Sequence, residues 1–171
     1  MTTPFSSDEP ADSYLAAIDS LVRQIIQHGG FELRSTVRKC DAPALDPDGP
    51  YIVVDFDGPD SDLLLEKNAA LLDALEYVVL KSVHIVDDLY GRISFDCQDW
   101  RQVRAEELKL TALMAARQAV ETGSPFHMTP MSSRERRIVH LALKDEATVK
   151  TVSEGAGPSR KVVIYPAASP S

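Results

Sequence analysis

The order of two hydrophobic periodicities predicts an α+β protein built from two small units. Helical spacing of apolar residues gives way to short alternating runs, so that helix, strand, strand, helix, helix, strand is complete by about Gln98; two more helices and a closing hairpin follow. The charge divides at the same place. Up to Gln98 there are 7 Lys and Arg against 18 Asp and Glu, a net −11, whereas from Asp99 onward there are 11 against 8, a net +3. The overall charge of −8 in 171 residues therefore conceals a second unit able to meet a polyanion.

Residues 1–12, MTTPFSSDEPAD, are polar and aperiodic and are expected to form a disordered leader. From Ser13, the residues Leu15, Ile18, Leu21, Val22, Ile25 and Ile26 mark an amphipathic helix that ends at His28-Gly29-Gly30, with Gly29 as its left-handed cap. Phe31, Leu33, Ser35 and Val37 alternate with charged and polar neighbours. A turn rich in Pro, Asp and Gly leads to Tyr51–Phe56, and the two runs read as a hairpin. After Gly58-Pro59, the run Leu63–Leu65, the polar interruption Glu66-Lys67-Asn68 and then Leu71, Leu72, Leu75, Val78 and Val79 predict two helices with a tight joint. Arg92–Cys97 alternates inward Ile93, Phe95 and Cys97 with outward Arg92, Ser94 and Asp96, giving a third strand. An antiparallel three-stranded sheet with helices on one face is the expected arrangement for residues 13–98.

The second unit, 99–166, opens with a helix over about Asp99–Thr122, whose apparent buried stripe is Val103, Leu110, Leu113, Ala116 and Val120. A loop rich in Pro, His and Met follows Gly123. Ser132 and Glu135 then form a capping-box candidate at the start of the next helix. Val149–Ser153 and Arg160–Tyr165 flank a Gly-containing turn as a closing hairpin, and residues 167–171 are a frayed tail.

On the helix after Ser132, a rotation of about 100° per residue gathers Ser133, Arg136, Arg137, His140 and Lys144 on one arc, with Ile138, Val139 and Ala142 opposite. Arg136 and His140, four apart, set a planar guanidinium beside an imidazole, a pair suited to gripping a phosphate or stacking on a base. A solvated helix face is the ordinary meaning of an isolated Arg-x-x-x-His, so the surrounding residues decide.

Those residues are PMSSRERRIVHLAL over Pro130–Leu143, then Val152-Ser-Glu-Gly155 and RKVVIYP over Arg160–Pro166. Together they resemble the R-3-H domain, named for Arg-x-x-x-His, and in their detail they are similar to the Jag, or SpoIIIJ-associated, family. The resemblance spans roughly residues 13 to 166. It implies a type II KH domain, of the α-β-β-α-α-β order already read over 13–98, followed by an R-3-H domain of two helices packed on a short sheet. It further implies a non-catalytic cytoplasmic protein that binds RNA or single-stranded nucleic acid and regulates bacterial cell elongation, division or sporulation. On this reading Arg136, Arg137 and Lys144 hold phosphates, His140 hydrogen-bonds or stacks, Ser133 shares their face, and Arg160 and Lys161 extend it.

Two departures accompany the resemblance. Many family members carry a further small N-terminal domain where this chain has its short polar leader. A KH domain holds the backbone with a Gly-x-x-Gly loop, and Glu66-Lys67-Asn68-Ala69 stands in its place. A carboxylate about 4 Å from a phosphate costs roughly 1 kcal/mol in water, so this KH loop is expected to be degenerate. The alternative function is a protein-interaction scaffold whose nucleic-acid binding is vestigial; the protein partners considered are a second KH protein or a second copy of the chain.

Other candidates point nowhere specific. Cys40 and Cys97 are expected as free thiols, and His28, His84 and His127 lack metal-ligand spacing, so no metal, cofactor or catalytic nucleophile is expected. Asp87-Asp88 reads as a solvated acidic turn and Trp100 as a core or inter-domain anchor. No apolar stretch approaches a membrane span, and the start lacks the pattern of a signal peptide.

Overall fold

The computed structural model describes residues 9–40, 51–85 and 91–167, with side chains from Tyr14 onward. These fall into two compact units that divide between Trp100 and Arg101.

In the first unit, α1 (Glu9–Gly29) begins earlier than the expected Ser13. Pro10 lies in its first turn, where a missing N–H breaks no helical bond. Residues 1–8 of the expected leader lie outside the described residues. At the other end the left-handed residue is Gly30, with φ of 70°, rather than Gly29. The Phe31 N–H donates to the Ile26 carbonyl at 3.1 Å, which completes a Schellman closure and turns the chain into the sheet.

Strands β1 (Arg34–Lys39) and β2 (Ile52–Asp57) pair antiparallel, from Arg34 opposite Asp57 to Lys39 opposite Ile52. The turn rich in Pro, Asp and Gly between them lies outside the described residues, as do Asp87 and Asp88. Gly58 follows β2 with φ of 145°, and a Cβ there would stand 2.3 Å from the Glu32 carbonyl oxygen. That close approach requires glycine.

Helix α2 (Ser61–Ser82) contains the expected joint. Glu66 is extended, and Lys67, Asn68 and Ala69 all take left-handed φ, at 52°, 60° and 59°. Three consecutive non-glycine residues there cost roughly 1 kcal/mol each or more, a strain the flanking packing must hold. Leu64 and Leu72 on either side, and Ala69 itself, are buried in the core.

β3 (Ile93–Cys97) runs parallel to β2, Ile52 lying opposite Ile93 and Phe56 opposite Cys97. The sheet, in the order β1-β2-β3, is therefore mixed, which corrects the antiparallel expectation. The reason is the connection: a helical crossover between neighbouring strands returns the chain to the end from which it started. β3 is an edge strand, and its Phe95 N–H donates to the Glu76 carboxylate of α2 at 2.9 Å. Ile18 and Val22 of α1, Val54 and Phe56 of β2, Leu72 and Val79 of α2 and Phe95 of β3 share one core, against which Trp100 packs. Cys97 is buried and Cys40 half-buried, both as free thiols, and burial pushes the Cys97 thiol up.

In the second unit, α3 (Trp100–Thr122), β4 (Phe126–His127), α4 (Ser133–Ala142), β5 (Val149–Glu154) and β6 (Lys161–Pro166) are joined by short turns. The sheet order is β4-β6-β5, with both pairings antiparallel. β4 arises inside the loop rich in Pro, His and Met, where two residues are too few to show alternation. The Ala167 N–H donates to the Thr148 carbonyl at 2.8 Å, so the expected tail is anchored at its first residue; 168–171 lie outside the described residues.

The core here consists of Leu108, Ala112, Ala115 and Ala119 of α3 with Met128, Val139, Leu143, Val162 and Ile164. The expected stripe of α3 is corrected: Val103, Leu110, Leu113 and Val120 are exposed, and only Ala116 of that set is buried. Alanines let the helix approach its neighbours closely, so the small residues take the inner face and the large ones are left outside.

Candidate nucleic-acid interface

The register of α4 is fixed at its first turn. Ser132 Oγ accepts from the Glu135 N–H at 3.3 Å, and Glu135 Oε2 accepts from the Ser132 N–H at 2.9 Å, a complete capping box. The other carboxylate oxygen of Glu135 accepts from Arg104 Nε on α3 at 2.9 Å. Burial opposes the charge of Arg104, but Glu135 and Glu107 outweigh it and hold the guanidinium more firmly protonated than usual. Glu135 thus starts α4 and ties it to α3.

That register sets the positions of the arc. His140 is half-buried against β5, where Thr151 Oγ1 lies 2.7 Å from Nδ1 and Ser153 Oγ lies 2.9 Å from Nε2. Both ring nitrogens are therefore engaged within the protein. Burial, and then the neighbouring charge of Arg136, push the imidazole below its usual range and so favour its neutral form. Arg136 is half-buried one turn earlier, and its Nε is sealed from solvent with no hydrogen-bond partner among the described residues. A guanidinium N–H left unpaired in that position costs about 1–3 kcal/mol.

Ser133 and Arg137 are exposed on α4, Arg137 also having a partner within the protein. Lys144 is exposed in the turn after the helix. Arg160 is exposed, and its carbonyl accepts the Met131 N–H at 3.1 Å, which places it beside the entry to α4. Lys161 differs. Val162 and Ile164 face the core, so by strand alternation Lys161 faces away from it, opposite Glu154, whose carboxylate accepts from the Tyr165 hydroxyl. The hairpin does lie beside α4, but Lys161 is on its far face.

Sequence reasoning did not single out Thr151 and Ser153, or the pairing of Arg104 with Glu135. The one available signal was two hydroxyls two residues apart on a predicted strand, hence on one face. In the first unit Glu66, Lys67 and Asn68 are exposed at the joint of α2 while Ala69 is buried. Among the described residues, no group of three or more His, Cys, Asp or Glu is placed to hold a metal ion, and no helix is long and apolar enough to cross a membrane.

The stretch of chain that carries the Arg-x-x-x-His face also matches a known domain family. Residues 106–166 match the R-3-H domain family. The chain is 34% identical over 111 residues to the RNA-binding protein KhpB of Clostridium symbiosum, an alignment covering 65% of this chain and 50% of that protein. It is 32% identical over 114 residues to KhpB of Lactiplantibacillus plantarum, covering 67% of this chain and 35% of the relative. With KhpB of Bacillus subtilis it shares 32% identity over 109 residues, 63% of this chain and 52% of the relative. The chain thus spans between about a third and a half of the length of these curated relatives. Each alignment is longer than the R-3-H match, so the similarity extends beyond that domain.

Proposed function

We propose that this chain is a non-catalytic binder of RNA or single-stranded nucleic acid that holds the strand on the α4 face of its second unit. The observation that carries the reading is Arg136, half-buried on the α4 face with no ion-pair partner among the described residues, beside a histidine whose neutral form is favoured. A phosphate oxygen would be met by the outer N–H groups of the guanidinium in a charge-assisted bond, the sealed Nε lying beyond its reach. Lys144, Arg137 and Arg160 would add longer-range attraction, and Ser133 a neutral donor near the start of the helix. His140 serves this site by position, bridging α4 to Thr151 and Ser153, and its nitrogen edge is spent there. The name shared by the KhpB relatives, RNA-binding protein, favours RNA as the polyanion.

We further infer that the first unit is KH-like. Its order of elements and its mixed sheet suit a type II KH domain, and the joint at Glu66-Lys67-Asn68-Ala69 stands where the Gly-x-x-Gly loop would be. The exposed Glu66 carboxylate opposes a phosphate there, which favours the second unit for the main contact.

The test is a titration of single-stranded RNA followed by fluorescence anisotropy. Arg136→Ala should weaken binding by about 1–3 kcal/mol, and Arg136→Lys should recover only part, because an ammonium keeps the charge and lacks the planar fork. Thermal melts of both variants should stay close to the parent. Unaltered affinity in a folded Arg136→Ala variant would remove the site.

A further inference from the structure

We propose that the outer face of α3 joins a second copy of this chain in an antiparallel helix pair. The observation is the stripe that the unit leaves uncovered: Val103 is 52% exposed, Leu110 63%, Met114 71% and Val120 46%, with Leu113 beside them. Single exposed apolar residues are ordinary, but these share one face, turned away from the alanine face that packs the core.

Their spacing is that of a helix seam. Val103, Glu106, Leu110, Leu113, Arg117 and Val120 follow one another at steps of three and four, the a and d positions of successive heptads. Charge then selects the partner and its direction. A parallel copy would set Arg117 against Arg117 and Glu106 against Glu106. An antiparallel copy, related by a two-fold axis between Thr111 and Ala112, sets Val103 against Val120, Leu110 against Leu113 and Glu106 against Arg117. Each apolar position meets an apolar one, and the single acidic position meets the single basic one, twice by symmetry.

The surface has room for this. A groove of about 230 Å³, lined by Leu113, Ala116, Arg117, Val120, Glu146 and Thr148, opens along the C-terminal half of the seam, where Val103 of the second copy would lie. Glu106 is paired with Lys109 on its own helix at 2.7 Å, an exposed ion pair of the kind that is exchanged at little cost. The inference rests on α3 and the groove beside it and is independent of any role of α4 in nucleic-acid binding.

Sedimentation equilibrium of the full chain without RNA tests it. A reversible dimer is expected, weakened about thirtyfold or more by Leu110→Glu. Glu106→Arg and Arg117→Glu should each weaken it about tenfold, and the double variant should regain most of the loss. All of these positions are exposed, and circular dichroism melts establish that each variant folds. A monomer at concentrations up to about 0.5 mM would overturn the proposal. So would a dimer indifferent to Leu110→Glu, or charge reversals that do not rescue one another, either of which assigns association to another surface or partner.

Discussion

His140 is held between two hydroxyls rather than presented to solvent, and this has a pH consequence. Its ordinary pKa is 6.5, and in the folded chain burial and Arg136 lower it. As pH falls through about 6.5 the unfolded chain takes up the proton first, so stability falls with pH from there down to the folded pKa and is level above it. Both hydroxyls can still accept from an imidazolium, so the loss comes from desolvation and the Arg136 charge rather than from broken bonds. Denaturant melts of the full chain between pH 7.5 and 5.5 should show this slope, and His140→Gln should flatten it. An unchanged slope in His140→Gln would assign the dependence elsewhere. The spacing of Arg136 and His140 was legible in the sequence because it is local to one helix. The partners of His140 were not, because Thr151 and Ser153 lie 11 and 13 residues downstream and reach it only after β5 docks on α4.

Elements whose ends carry their own chemistry were the most legible. The capping box at Ser132 and Glu135 forms as the sequence predicts, and Glu135 has the additional task of binding Arg104. Glu135→Ala should therefore cost about 1–3 kcal/mol, more than a cap alone, and a second change of Arg104 to Ala should add less than it costs singly. Additive losses in that double-mutant cycle would show that the two residues act separately. The joint in α2 was legible as a polar interruption, but its left-handed backbone was not, because Lys, Asn and Ala give no sign of φ above zero. Lys67 is exposed and its side chain packs against no core, so Lys67→Gly should relieve the strain and raise stability by about 0.5–1 kcal/mol. A loss of similar size, as for glycine inside a regular helix, would contradict the left-handed assignment. Direction and face were the blind spots. β3 proved parallel because its crossover is helical, and α3 buries its alanines because close packing, rather than hydrophobicity per residue, selects its inner face.

At the scale of the whole chain, two compact units coincide with a division of charge, −11 from 7 basic and 18 acidic residues up to Gln98 and +3 from 11 and 8 beyond it. The order of elements was legible in the first unit, and in the second except for the two-residue β4, because the longer elements each show a clear period; the relation of charge to unit followed by counting. The division predicts that single-stranded RNA is held by the second unit, with the first contributing little at its strained joint. The salt dependence of RNA affinity separates the units directly, since each phosphate contact on a single strand contributes about 0.7 to the slope of log affinity against log salt. Titrations of the full chain should show that Arg136→Ala lowers the magnitude of this slope by about 0.7 while Lys67→Ala leaves it unchanged. A slope that falls for Lys67→Ala and stays level for Arg136→Ala would place the phosphate contacts in the first unit and contradict the assignment to α4.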